Sequence, residues 1–175
     1  MSERVERVDE QDRVLGVVDR AEAIRRRWLH RIATIVCRDP EGRVLVHRRP
    51  DDAALLPGGH NWMLGGAVGV SESYEQAASR ELAEELGVEA RPRFVLKFRC
   101  AGAISPYWLA LHETVVSTPI RPHPSEMAWH AWLTEPELLA LADTDTFIPD
   151  ARTALTHYRT LHSHGASGPP RTKGR

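Results

Sequence analysis

Little in the composition pulls the chain toward a special partner. Formal net charge is −1 over 175 residues and the pI lies near 6.8, so no bulk field draws it to nucleic acid or to a membrane surface. A basic cluster, Arg25-Arg26-Arg27, is short. No apolar run approaches the roughly 18 residues that a membrane-spanning helix requires. The opening MSERVERVDE carries no hydrophobic segment of the kind that directs secretion. There are two cysteines, Cys37 and Cys100, both inside apolar β-like runs. That excludes a disulfide scaffold and fits free, buried thiols in a reducing compartment, with the cytoplasm as the expected location. Repeats of roughly 20 residues or more are absent too, which excludes a solenoid.

What is present suits one globular domain. The hydrophobic fraction is 42% and the charged fraction 27%, and a chain of this size buries about 70% of its unfolded surface. Residues 5–18 alternate around Glu10-Gln11-Asp12, which predicts a hairpin, and residues 20–27 a short basic helix. HRIATIVCRD and GRVLVHRR flank a Pro-Glu-Gly turn and predict a second hairpin. PDDAALLPGGHN reads as loop. Strands are predicted over 93–101, 106–117 and EMAWHAWLT, then a short helix in EPELLAL and a last helix in IPDARTALTHYRTL. The domain is expected to span 1–161, with the N-terminal hairpin and helix at 5–28, and the Gly/Pro/Ser-rich tail 162–175 to be disordered. Strands mixed with a few amphipathic helices predict an α+β fold, a mixed sheet in an α/β/α sandwich.

The clearest helix is SESYEQAASRELAEELG. Ser73 and Gln76 match a capping box, Ala78, Leu82 and Leu86 an apolar stripe, and Gly87 the C-terminal glycine. Its last turn breaks a rule. The C-terminal end of a helix carries partial negative charge and favours lysine or arginine, yet Glu84 and Glu85 stand there. At 100° per residue, Glu81, Glu84 and Glu85 fall at about 0°, −60° and +40°, within one arc. Like charges at those spacings repel. The face is either solvated or neutralised by a divalent cation, and Mg²⁺ prefers such hard oxygen ligands.

The joint pattern decides between these. Gly66, Glu72 and Arg80-Glu81-Leu82-Ala83-Glu84-Glu85-Leu86-Gly87-Val88 satisfy every position of G-x5-E-x7-R-E-U-x-E-E-x-G-U, with U aliphatic. Seven fixed identities at ordinary usage coincide by chance on the order of once in a billion starts. This is the Nudix box, and the chain resembles Nudix hydrolases. Within them it is similar to an uncharacterised subfamily related to isopentenyl-diphosphate isomerase. VDEQDRVLGVVDRAEAIRRRWLHR, VLVHRR…LLPG…GGAV, SEMAWHAWLTEPEL and DTFIPDARTAL carry that likeness over about residues 7–160.

The resemblance implies a Nudix fold and attack of water on the pyrophosphate linkage of a nucleoside diphosphate joined to another group. It implies Mg²⁺ (or Mn²⁺), held by the Gly65 carbonyl and by Glu81, Glu84 and Glu85, with one of these glutamates or a neighbour as the base. Arg80 would orient a box glutamate and Glu72 would pair with Arg80. Glu126 is a further candidate carboxylate. Arg48 and Arg49 are candidates for the diphosphate, and Trp62, Tyr107 and Trp108 for stacking on a flat group. The expected partner is a small nucleotide-type molecule, with neither membrane nor nucleic acid, and the N-terminal hairpin is a surface through which two subunits could pair. Gly69 and Ser71 depart from the common family form, which has glutamate and glycine there. Two rivals are set aside on residues. Gly65-Gly66-Ala67 stands where the isomerases have reactive cysteine and histidine, and CAGAI lacks their glutamate pair. Non-catalytic sensors typically lose box glutamates, all of which are kept here.

Overall fold

The structure, a computed structural model, describes residues 2–165. Strands β1 (Arg4–Val8) and β2 (Val14–Asp19) form the first hairpin. Asp9 shapes its turn by accepting from the backbone N–H groups of Gln11 and Arg13, both at 2.9 Å. Asp19 then caps α1 (Arg20–Arg25) by accepting from the Glu22 N–H at 3.0 Å. Capping of this kind satisfies donors that a helix start leaves free.

The main sheet contains β3 (Arg31–Arg38), β4 (Val44–Arg48), β5 (His60–Asn61), β6 (Leu64–Ala67), β7 (Arg93–Cys100), β8 (Tyr107–Val115) and β9 (Trp129–Leu133). Its spine runs β5-β4-β3-β8-β7, with β6 on β3 and β9 on β4. β3 and β8 run parallel from Arg31↔Trp108 to Arg38↔Val115, and the other pairings are antiparallel. The sheet is therefore mixed. β3 reads as an unbroken apolar run because both its faces are covered. Ala33, Ile35 and Cys37 pack under α2 (Tyr74–Leu86) with Ala78, Leu82 and Leu86. Val36, with Val44, Val46, Leu109 and Leu111 of the neighbouring strands, packs on the opposite side. There lie α3 (Glu135–Ala142) and α4 (Pro149–Gly165). The result is the α/β/α sandwich expected.

Two expectations need correction. The second hairpin exists only at its turn: β3 and β4 share one paired position, Arg38↔Val44. Beyond it, β4 pairs with β9 and the first half of β3 with β6. The apolar β4 run finds its partner more than eighty positions away, which local alternation does not reveal. The last helix also continues to Gly165, past the boundary placed at 161. The rest of the expected tail, 166–175, lies outside the described residues. Among the described residues, no helix is long and apolar enough to cross a membrane.

Candidate active site

Helix α2 delivers the box. Ser73 Oγ accepts from the Gln76 N–H while the Gln76 side chain accepts from the Ser73 N–H, so the capping box is complete. Leu82 and Leu86 are fully buried, and each side chain contributes roughly 1.5–3 kcal/mol by leaving water. Gly87 ends the helix at φ 67°, with its N–H donating to the Ala83 carbonyl. The acidic last turn has its carbonyls satisfied from outside the helix. Arg121 N–H donates to Leu86 O at 2.7 Å and His123 N–H to Glu85 O at 2.8 Å. Those bonds bring the 121–126 loop against the box.

The glycine pair forms the other wall. Gly65 has φ 142°, and a Cβ there would meet the Ala33 carbonyl oxygen at 2.1 Å. At Gly66 a Cβ would meet Glu81 Oε1 at 2.5 Å. Backbone excludes any side chain at Gly65, and a side chain at Gly66 would displace the Glu81 carboxylate. Ser71 sits at φ 62°, in the left-handed region that glycine adopts without strain.

Around these elements lies a cavity of about 550 Å³. Glu81, Glu84, Glu85 and Glu126 line it with Gly65 and Gly66, and so do Arg49 and Tyr107. Arg80 organises the acids from behind. Its Nε donates to Glu72 Oε1 at 2.8 Å, one Nη to Glu81 Oε1 at 2.6 Å, and the other to Glu72 Oε2 and the Ala67 carbonyl, each at 3.0 Å. Glu84 Oε2 is 3.4 Å from the same guanidinium. Glu72 Oε2 also accepts from the Gly69 N–H at 2.7 Å. Hydrogen bonds from Arg80 hold the Glu72 carboxyl below the usual carboxylate range. They hold the Arg80 guanidinium charged at any pH the protein meets.

Glu85 is the contrast. It is 8% exposed, and its Oε1 accepts from the Gly65 N–H at 3.0 Å. Burial, then the nearby Glu81 charge, push its carboxyl up to about 8. Burial raises Glu81 as well, outweighing the attraction of Arg80. These two acids face one cavity with too little positive charge. Their hard oxygens fit a divalent cation by chemistry. Among the described residues no three His, Cys, Asp or Glu side chains form a ready cage. Mg²⁺ is commonly held by one or two carboxylates, with water and substrate phosphate oxygens in its remaining positions.

Three predicted residues fall elsewhere. Trp62 is 1% exposed in the core, its Nε1–H donating to the Ala151 carbonyl at 2.8 Å and its ring edge-on to Tyr158. Arg48 pairs with Asp51 outside the cavity, because alternation along β4 sends His47 and Arg49 to one face and Arg48 to the other. Trp108 is used in folding, donating to the Asp9 carbonyl at 3.1 Å. Tyr107 does line the cavity, and its hydroxyl donates to Asp150 Oδ2 at 2.7 Å.

Other lining residues went unread in the sequence. His47 is 4% exposed; its Nε2–H donates to the Met63 carbonyl, leaving Nδ1 without a partner. Burial pushes its imidazole down to about 4, so it is neutral. Its alternation with Arg49 was a usable signal. Glu3, Arg20 and Asp150 also line the cavity, and nothing local to the first two points there.

An acid-lined cleft on one side of a mixed-sheet α/β/α sandwich defines the class. The chain belongs to the Nudix hydrolase family: the NUDIX domain matches residues 28–154. It is 42% identical over 165 residues to an uncharacterised Nudix hydrolase of Streptomyces coelicolor, covering 93% of this chain and 90% of that one. An uncharacterised Nudix hydrolase of Pseudomonas aeruginosa is 35% identical over 153 residues, covering 86% and 90%. The crystal structure of DR0079 from Deinococcus radiodurans superposes with a TM-score of 0.76 at 27% identity, covering 89% of this chain and 99% of that one. As a member of this family the protein is a hydrolase, and the family's general activity is metal-dependent hydrolysis of pyrophosphate linkages.

Proposed function

We propose that this protein hydrolyses the pyrophosphate linkage of a nucleoside diphosphate joined to another moiety, with Mg²⁺ or Mn²⁺ as cofactor. One observation carries the reading. Glu81, Glu84 and Glu85 line one cavity on a glycine floor, with Glu85 buried and short of positive charge. A bound cation would offset the negative charge that develops on phosphoryl oxygens during the reaction. The Gly65 carbonyl and the carboxylates of Glu81, Glu84 and Glu85 would hold it, with Glu126 as a further oxygen donor. Arg80 fixes the Glu81 carboxylate, and Glu72 fixes Arg80 by two hydrogen bonds. The Gly65 N–H aims Glu85. The base that takes the proton of water is drawn from the same glutamates. Arg49 would meet the diphosphate and Tyr107 the appended group. Trp62 and Arg48 do not enter this proposal.

The isomerase-like subfamily likeness is read here as likeness of frame. The residues lining the cavity include no cysteine; Cys37 is buried in the core and its thiol is pushed up to about 12. We also propose that the exposed Val14, Leu15 and Val17 of β2 pair two copies, which sedimentation would measure.

A panel of ADP-ribose, dinucleoside polyphosphates, NADH and CoA derivatives with Mg²⁺ or Mn²⁺ tests the reading. Metal-dependent release of two phosphate-ended products from at least one compound is expected. Tight binding with no turnover anywhere would favour a sensor instead. Conversion of isopentenyl diphosphate to the dimethylallyl isomer would favour an isomerase.

A further inference from the structure

The family match begins at residue 28, yet the cavity wall does not. Glu3 and Arg20, from the N-terminal hairpin and helix, line the same cavity as the box glutamates. Glu3 stands close enough to Glu81 to help raise its carboxyl. The appendage is fixed in place there. Val5 bridges Gly69 in the box loop, and Ser71 N–H donates to Glu6 Oε1 at 3.1 Å. At the other end of α1, Arg27 donates to the Ile104 carbonyl at 2.9 Å, and Ile104 is itself a lining residue. The hairpin and helix thus close the cavity between the box loop and the 100–106 loop.

Arg20 carries an unmet demand. One Nη donates to Glu3 Oε2 at 2.8 Å, and the backbone N–H of Arg20 donates to the Glu3 carbonyl. Its Nε is buried with no partner. Buried charged donors are rarely left unpaired, because the loss of hydration is uncompensated. Among the described residues only three buried side-chain nitrogens lack partners, and two of them, Arg20 Nε and His47 Nδ1, belong to cavity-lining residues. The balance of charge points the same way. Six lining residues carry carboxylates, Glu3, Glu81, Glu84, Glu85, Glu126 and Asp150, against two guanidinium groups, Arg20 and Arg49. An anionic ligand entering such a cavity needs each cation available, and Arg49 already spends its Nε on the Leu55 carbonyl.

We propose that the N-terminal hairpin and helix are part of the substrate site, with the guanidinium of Arg20, a side chain 30% exposed, donating to an oxygen of the bound diphosphate while Glu3 holds it in place. This rests on the diphosphate reading above and extends the site beyond the stretch that matches the family.

The test uses the full-length protein with Arg20→Ala, Arg20→Lys and Glu3→Gln. Two quantities are read: KM and kcat on a compound the wild type hydrolyses, and the Kd of Mg²⁺–imidodiphosphate by calorimetry. Loss of a charge-assisted contact predicts that Arg20→Ala weakens both KM and Kd by about ten- to a hundredfold, with kcat changed far less. Arg20→Lys keeps the charge but loses the planar guanidinium fork, so it should weaken Kd in the same direction and by less. Should Arg20→Ala fail to fold, Arg20→Lys decides alone. An unchanged Kd in a folded Arg20 variant overturns the proposal, whatever the turnover. Wild-type protein that turns over nothing, yet binds imidodiphosphate through Arg20, leaves this proposal standing and removes the hydrolase reading. Wild-type protein that binds no imidodiphosphate removes the Arg20 contact.

Discussion

Two clusters of charged side chains sit on this fold about the same helix, and they are balanced differently. At one, the Asp12 carboxylate accepts from Arg31 at 2.7 Å, from Tyr74 at 3.0 Å and from Lys97, while Glu6 accepts from Arg31 at 3.0 Å. Two acids meet two bases, and hydrogen bonding by Lys97 and Arg31 overcomes burial to hold the Asp12 carboxyl low. At the other, Arg80 alone faces Glu72, Glu81 and Glu84, and Glu85 lies beyond its reach. The balanced cluster pins the N-terminal hairpin to the sheet. The unbalanced one leaves its acids short of positive charge. Charge pairing in a buried cluster marks structure, and a deficit of one sign marks a site.

The comparison breaks first at the acids. Glu84→Gln and Glu85→Gln should each lower metal-dependent turnover by about 10²–10³-fold, while the melting temperature of metal-free protein is unchanged or higher. Loss of stability alongside turnover would make the acids structural. The balanced cluster should behave oppositely. Asp12→Ala leaves Arg31, whose side chain is 18% exposed, short of its main partner, and should cost about 2–3 kcal/mol in urea unfolding. A smaller prediction sharpens the role of Arg80. Arg80→Lys cannot span Glu72 and Glu81 together, so turnover should drop by about tenfold with little change in fold.

The smallest effect is a pH dependence. The Glu85 carboxyl is raised from an ordinary value near 4.5 to about 8 in the folded protein. The folded state therefore binds that proton more tightly than the unfolded one. Its contribution to stability is complete below about pH 4.5 and is lost as pH rises through 8. In EDTA, melting scans should show stability declining across that window, less so in Glu85→Gln. A flat wild-type profile there would mean that Glu85 is better solvated than its burial indicates.

The box was legible because its chemistry is local. A capping box, an apolar stripe and a terminal glycine placed α2, and the spacing of Glu81, Glu84 and Glu85 put them on one face. What lay out of reach was distant pairing. Nothing near β4 says that it leaves β3 for β9, and nothing near Arg20 says that it lines one cavity with Glu81. Trp62 shows the reverse error: an aromatic beside the box looked available, and only its bond to Ala151, from the last helix, reveals it as core. The unequal burial of Glu84 and Glu85 was likewise invisible, since angular position on a helix does not tell how far the 121–126 loop covers it.

The central claim is that Glu81, Glu84 and Glu85 hold a divalent cation against a diphosphate. Crystals soaked with Mn²⁺ and imidodiphosphate test it most directly, by anomalous scattering. The account predicts a manganese peak bonded to Glu84 or Glu85 oxygens and to a phosphate oxygen, at about 2.0–2.2 Å. Ordered imidodiphosphate in the cavity with no manganese peak, and Glu81 still bonded to Arg80, would contradict it.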